Sequence, residues 1–333
     1  MNEKHGGLRR TVLCAALLAA LLFAGSTTAH AAQQPRMLVP VGKTFGVKLF
    51  SEGVMVVDVP QEAQETGLKS GDVLLRVNDT ALTSAEQLRA LVQENGAAAM
   101  TLSVRRGARL LTLHAQGEVD EQGVYRLGAW VRDSMAGIGT MTYYDPQSGA
   151  FGALGHGVTD VDTAQLLPLG SGALMAAEVK AVRRGESGTP GELRGSFDLT
   201  HESGTLTANT DCGLFGTLEA DAAANFGAPI PVAQRSEVHT GAATILANCA
   251  GGAVEEYCVE IERLYSADAS PRDLLLRVTD PALLALTGGI VQGMSGSPIL
   301  QDGKIIGAVT HVLVNDPTTG YGIFIENMLD AAG

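Results

Sequence analysis

The chain has 333 residues, room for about two domains of ordinary size, and 45% are apolar against 18% charged, which excludes a disordered polyelectrolyte. Its 23 Lys and Arg face 36 Asp and Glu, a net charge of −13, so no basic field exists to hold phosphates and nucleic acid is excluded as a partner. The 41 glycines and sparse aromatics predict many turns and short strands, a mainly β protein rather than a helical bundle.

Residues 1–31 read as an export segment. Lys4, Arg9 and Arg10 precede an apolar run from Val12 to Ala24, and Ala29-His30-Ala31 supplies a small-residue cleavage site. The run is shorter than the roughly 20 residues that span a bilayer, which favours a cleaved signal peptide over a short retained anchor and places the mature body outside the cytoplasm. Cys14 falls in this segment, leaving Cys212, Cys249 and Cys258, an odd number that cannot all pair within one chain. A Cys249–Cys258 bridge stays open, and the spacing fits no zinc site, so no metal and no organic cofactor is expected.

From Met37 to about Gly117 the pattern is that of a small α/β unit. Gly42-Lys43-Thr44-Phe45-Gly46-Val47 gives a glycine turn entering a strand, and Val54-Met55-Val56-Val57 is a β-branched run. Ala63 to Gly67 makes one helical turn closed by glycine, and Gly71-Asp72-Val73-Leu74-Leu75-Arg76-Val77 a tight turn and strand. Ser84-Ala85-Glu86-Gln87 opens a helix with a Ser N-cap and Gln at its third position, with Leu88, Leu91 and Val92 as the apolar face. Met100–Arg105 and Arg109–His114 form a hairpin around Arg106-Gly107-Ala108. With Thr66-Gly67-Leu68-Lys69-Ser70-Gly71-Asp72 at its centre, the unit at 37–117 resembles a PDZ domain. That implies a groove for an added peptide strand or C-terminal ligand, with Gly42, Thr44, Phe45, Gly46 and Val47 expected to bind it through their backbone. A turn role for the two glycines is the competing reading.

From about residue 125 to 333 short apolar runs are broken by glycine, as in Ala136–Tyr144 and Phe151-Gly152-Ala153-Leu154-Gly155-His156, predicting a barrel or sandwich. A loop at Arg183–Glu192 divides two strand-rich halves. The sharpest motif is Gly293-Met294-Ser295-Gly296-Ser297-Pro298 before an apolar strand. A Ser held in such a turn exposes its hydroxyl, and the Gly293 and Ser295 amides converge as an oxyanion hole. A plain Gly-Ser turn is the alternative. A hydroxyl nucleophile needs a base. Of seven histidines, His5 and His30 lie in the leader, His114 in the PDZ-like unit, and His201 and His239 among polar residues. His156, between glycines and upstream of Ser295, is favoured as base over His311, which suits a packed or supporting role.

Together, Ala153-Leu154-Gly155-His156, Thr189-Pro190-Gly191-Glu192, Thr279-Asp280-Pro281, Gly288 through Pro298, and Gly307-Ala308-Val309-Thr310-His311-Val312, set behind a leader and a PDZ-like unit, resemble the stage IV sporulation protein B peptidases. The resemblance implies a chymotrypsin-like β-barrel serine peptidase with His156, Asp280 and Ser295 as catalytic residues. It also implies secretion across the forespore membrane into the intermembrane space, self-cleavage near the N-terminus, and cleavage of the extracytoplasmic part of a membrane-bound regulator, triggering intramembrane processing of a late sporulation sigma factor. On its own residues Asp280 also reads as a helix N-cap followed by Pro, with Asp160, Asp162 and Asp211 as other partners for the imidazole. A quality-control peptidase carrying PDZ domains and a non-catalytic PDZ scaffold are the competing functions.

Overall fold

Runs of alternating apolar residues between glycine turns can bury one face only by pairing with other strands, and here they close into two barrels. The computed structural model describes residues 35–265 and 272–333, so the export segment expected at 1–31 lies outside the described residues. Arg36–Gly333 form one unit.

The short strand β1 (Met37–Pro40) and the long β2 (Thr44–Asp58) come first. A small module follows: β3 (Val73–Val77), β4 (Thr80–Ala81), helix α1 (Ala85–Asn95), β5 (Ala99–Arg106), β6 (Arg109–Gln116), and the small pair β7 (Glu118–Val119) and β8 (Tyr125–Arg126). The chain then continues through β9 (Trp130–Tyr144), β10 (Ala150–Ala153), β11 (Leu169–Arg183), β12 (Glu192–Thr210), β13 (Gly213–Leu218) and the short β14 (Ile230–Pro231). Last come β15 (Gly241–Ala250), β16 (Ala253–Leu264), β17 (Leu274–Val278), helix α2 (Pro281–Thr287), β18 (Pro298–Gln301), β19 (Lys304–Leu313), β20 (Asp316–Phe324) and helix α3 (Ile325–Ala332).

The first barrel runs β9-β10-β13-β12-β11-β2 and is closed by pairing of β2 with β9; the second is the closed ring β15-β16-β17-β20-β19-β18. Phe45, Val47, Leu49, Met141, Phe151, Leu174 and Leu214 fill the first, and Ile245, Tyr257, Val259, Leu276, Ile299 and Val309 are among those filling the second. Leu38, Tyr143, Phe215, Ile323 and Met328 of α3 form a separate buried cluster.

The small module is as its sequence predicts. Ser84 caps α1 through its Oγ, which accepts from the Gln87 amide at 3.1 Å, and Leu88 and Val92 are buried. The Gly71-Asp72 motif has a structural cause: Gly71 sits at φ +84°, and the buried Asp72 accepts both the Lys69 amide and a two-armed bond from Arg106 at 2.7 Å.

The domain boundaries differ from the expectation. β2 serves both units: Thr44–Phe50 pairs with Ser134–Thr140 and with β11, whereas Val54 and Met55 pair with β3 of the module. The module is therefore inserted between two adjacent strands of the first barrel rather than standing ahead of it. The expected peptide-binding run Gly42–Val47 is barrel wall. Phe45 and Val47 point into the core, and Thr44 Oγ1 donates to the Asn248 carbonyl of the second barrel. A Cβ on Gly46 would stand 2.4 Å from Phe197 Cγ, and one on Gly42 2.6 Å from Leu246 Cβ. These glycines make room for neighbours, not for a ligand.

Candidate active site and peptide groove

The nucleophile turn lies where the two barrels touch. Helix α2 ends at Gly288 in the left-handed conformation, and the following chain reaches Ser295 with Gly293 at φ +99° and Gly296 at φ +96°, values that favour glycine. Gly296 also approaches the first barrel so closely that a Cβ would stand 1.9 Å from the Thr140 carbonyl oxygen. Thr140 of β9 holds the turn from that side: its amide donates to the Ser295 carbonyl at 3.0 Å and its Oγ1 to the Gly293 carbonyl at 2.7 Å. The amides of Met294, Gly296 and Ser297 are all engaged within the protein, whereas those of Gly293 and Ser295 donate to none of the described residues. Two free, glycine-positioned donors are what an oxyanion hole requires.

His156 follows β10 after two left-handed residues, Leu154 and Gly155, both at φ +68°. A Cβ at Gly155 would stand 2.9 Å from Thr310 Cγ2, so the glycine lets the His156 turn lie against the second barrel. His156 Nδ1 is 2.9 Å from the Gly157 carbonyl oxygen. A carbonyl can only accept, so Nδ1 carries the proton and Nε2 is left bare to act as base. Burial depresses the His156 pKa, against the opposing pull of the Gly157 bond. The ring of His311 lies 4.9 Å from that of His156 at 38°, and burial, then His156 and Arg272, push it down to about 4. Its Nδ1 is buried and meets no hydrogen-bond partner among the described residues.

The structure sets the Ser295 turn against Thr140 of β9, brings both the Ser295 hydroxyl and the Gly155 turn before His156 to Thr310, and places His311 beside His156, a neighbour that the sequence did not show. The expectation of a free nucleophile is corrected: Ser295 Oγ donates to the Thr310 carbonyl at 2.6 Å and not to an imidazole. Asp280 is not brought to His156. Its Oδ1 accepts from the Ala282 and Leu283 amides at 2.9 and 3.1 Å and its Oδ2 from the Cys258 amide at 3.2 Å, so the carboxylate caps α2 and ties it to β16. Burial raises its pKa, but the Leu283, Cys258 and Ala282 amides outweigh that and hold it below the usual range. Asp160 and Asp162 both pair with Arg132 of β9. Cys212, Cys249 and Cys258 are free thiols; Cys249 is buried and Cys258 exposed on the neighbouring strand, so the bridge left open does not form. Among the described residues no group of three His, Cys, Asp or Glu side chains is placed to hold a metal ion.

A second site was missed by sequence reading. A groove of about 710 Å³ runs between α1, through Ala85, Leu88, Arg89 and Val92, and the segment Val124–Val131 that leads into β9. Gly128 at its mouth has φ +76°, and the Leu127, Gly128 and Ala129 amides donate to none of the described residues. Two arginines and no acidic side chain line it. Trp130–Arg132 pairs with β2 on one edge, and β9 is joined to β1 and β10 only from Met141 onward, so its groove-facing edge is open. The available signal was Leu127-Gly128-Ala129, an apolar-Gly-apolar turn entering a strand, which has the same texture as the Phe45-Gly46-Val47 run chosen instead.

Two β-barrels meeting at a glycine-held Ser, with a His nearby and an inserted PDZ module, define a PDZ-containing serine endopeptidase. A family model described as SpoIVB peptidase S55 matches residues 123–329 and a PDZ domain model matches residues 56–106; the chain belongs to the SpoIVB peptidase S55 family. A search of curated proteins gave no match. Among solved structures, the active form of Rv3671c protease from M. tuberculosis is 15% identical over 60% of this chain and 75% of that one, TM-score 0.33. The HtrA-type protease AlgW with decapeptide is 9% identical over 88% and 64%, TM-score 0.36. The PDZ domain of an SdrC-like protein from Listeria monocytogenes is 16% identical over 24% and 87%, TM-score 0.23.

Proposed function

We propose that this endopeptidase is exported across the forespore membrane, cuts itself between its leader and Arg36, and cleaves the extracytoplasmic part of a membrane-bound regulator in the intermembrane space. That cut would release an intramembrane protease to activate a late sporulation sigma factor. The family and the leader-like N-terminus support the setting. One observation carries the chemistry: the Gly293 and Ser295 amides, which donate to none of the described residues, flank a hydroxyl that rests on Thr310, the residue the Gly155-His156 turn also packs against. Ser295 Oγ leaves the Thr310 carbonyl, gives its proton to His156 Nε2 and attacks the scissile carbonyl. The two amides hold the oxyanion, and His156 returns the proton to the leaving amine. Water then repeats the sequence on the acyl-enzyme. The groove beside α1 holds a peptide end of the substrate or a partner by strand addition.

The bond from Ser295 to Thr310 favours a second reading, a non-catalytic scaffold that only binds. Fluorophosphonate labelling with mass spectrometry separates the two. The peptidase reading expects label on Ser295, and products from candidate membrane-protein tails that vanish in Ser295→Ala and His156→Ala. Wild-type rates in either folded variant would sink it.

A further inference from the structure

A hairpin of the first barrel reaches into the second. β11 and β12 carry Val179 and Leu193 into the second barrel's core, and the loop joining them lies on α2 and on the turn between β19 and β20. There the Gly185 amide donates to the Thr287 carbonyl at 2.8 Å and the Gly188 amide to the Val314 carbonyl at 2.9 Å. Ser187 Oγ donates to the Asn315 carbonyl at 2.8 Å, and the Arg184 guanidinium to the Leu284 and Ala285 carbonyls in the last turn of α2. At the root of the loop the grip moves to the chain entering the nucleophile turn. The Gln292 amide donates to the Gly191 carbonyl at 3.0 Å and the Leu193 amide to the Gln292 carbonyl at 2.8 Å. Gln292 is thus held by both of its backbone polar groups, in a short parallel bridge with Glu192.

Those two bonds decide where an oxyanion donor points. A peptide unit is planar and trans, so its C=O and N–H face opposite ways. In the unit joining Met294 to Ser295 the carbonyl takes the Ser297 amide at 2.9 Å, a bond within the turn itself, and the Ser295 N–H is set to the other side. In the unit joining Gln292 to Gly293 the carbonyl takes no donor from the turn among the described residues; it takes the Leu193 amide of the first barrel. Gly293, at φ +99°, has no Cβ to resist rotation of the unit before it, so the local sequence leaves its N–H free to face either way. One donor of the pair is positioned by its own turn and the other by the hairpin.

We propose that the β11–β12 hairpin is the positioning element of the oxyanion hole: the Leu193 amide, with the Gly191 carbonyl, fixes the Gln292–Gly293 peptide so that the Gly293 N–H faces the carbonyl under attack, and Arg184 and Ser187 latch the loop. The inference rests on the assignment of Ser295 as nucleophile and of the Gly293 and Ser295 amides as its donors. It also gives Gly191 a task. A Cβ there would stand 2.5 Å from the Gly185 nitrogen and 2.6 Å from Val291 Cγ1, so a side chain would keep the loop from closing on the chain before the turn.

A phosphonate whose P=O is replaced by P=S offers the hole a larger atom that accepts hydrogen bonds poorly, so preference for the P=O probe reports the hole separately from the nucleophile and base. The experiment measures, on the full-length protein, the rates at which Ser295 is labelled by a fluorophosphonate and by its P=S counterpart, with a urea midpoint for each variant. Leu193→Pro removes the N–H, and labelling by the P=O probe should slow about 10²-fold, the scale of losing one oxyanion donor, while the P=S rate moves far less. Leu193→Ala loses packing but keeps the N–H, and should keep the wild-type preference. Arg184→Ala, at an exposed residue, unlatches the loop and should lower the preference about threefold or more, the scale of a hydrogen bond or two; it decides the matter if Leu193→Pro does not fold. A preference unchanged in folded Leu193→Pro, or lost equally in Leu193→Ala, overturns the positioning and leaves the peptidase reading intact, as does an unchanged preference in Arg184→Ala where the Pro variant does not fold. A wild-type protein with no preference beyond the probes' own difference toward hydroxide overturns the hole and its positioning together. Absence of labelling at Ser295 under every condition overturns the nucleophile as well.

Discussion

Replacing Asp280 tests which of its two sequence readings is real. The carboxylate spends one oxygen on two amides of the first turn of α2 and the other on Cys258 of β16. Loss of an N-cap costs about 0.5–2 kcal/mol, and loss of a charge-assisted bond to a partly exposed amide adds about 1 kcal/mol. Asp280→Ala should therefore destabilise by about 1–3 kcal/mol. Asp280→Asn keeps the capping oxygen but turns an NH2 toward the Cys258 amide, so it should lose about 1 kcal/mol. Because α2 leads into the Ser295 turn, activity should follow the folded fraction, with kcat of folded Asn enzyme within a few-fold of wild type. The assay is a urea midpoint beside kcat for each variant. A fall on the order of 10⁴ in kcat for Asp280→Asn with an unmoved midpoint, the scale expected when a triad acid is neutralised, would refute the capping account.

Gly296→Ala places a Cβ 1.9 Å from the Thr140 carbonyl oxygen at φ +96°; it should cost at least about 2 kcal/mol and abolish labelling of Ser295, checked by denaturation and fluorophosphonate. Gly46→Leu drives into Phe197 and should cost about 1–3 kcal/mol, lowering hydrolysis of short peptides and proteins alike; a loss confined to protein substrates would return Gly46 to the groove. His156 works as a base only when neutral, and burial lowers its pKa. The acid limb of kcat/KM should thus fall below the ordinary His value of about 6.5, and a midpoint at or above that value would contradict it. His311, held near 4, stays neutral where the unfolded chain is protonated, so stability should drop as pH falls from about 6.5 toward 4, as urea midpoints at several pH values would reveal.

Features set by a few adjacent residues were legible. The Ser84 cap, the Asp280-Pro281 helix start, the hairpin at Gly107 and the Ser295 turn depend on local backbone chemistry that one sequence displays; the loop at Arg183–Glu192 is present too, but it joins β11 to β12 of the first barrel and does not divide the two halves as expected. The allegiance of Thr44–Phe50 was not. Its alternating pattern suits the wall of a barrel as well as the edge of a PDZ groove, and partners as distant as Ser134–Thr140 and Leu169–Ala176 decide between them. The same limit hid the Val124–Val131 wall, because its partner helix α1 lies well upstream. The companionship of His156 with His311 comes from the meeting of two barrels and leaves no mark in the spacing.

Threading the module between β2 and β9 also bears on how the first barrel can close. The first barrel closes only when residues 44–50 meet residues 134–140, and an open chain of that length would pay a substantial entropy of closure and fold slowly. Once the module has folded, its own ladder between Met55–Asp58 and Trp130–Arg132 brings the two barrel strands together already in register. A peptidase fragment that began after the module would lack both the first strand of its barrel and the ladder that sets that strand against β9.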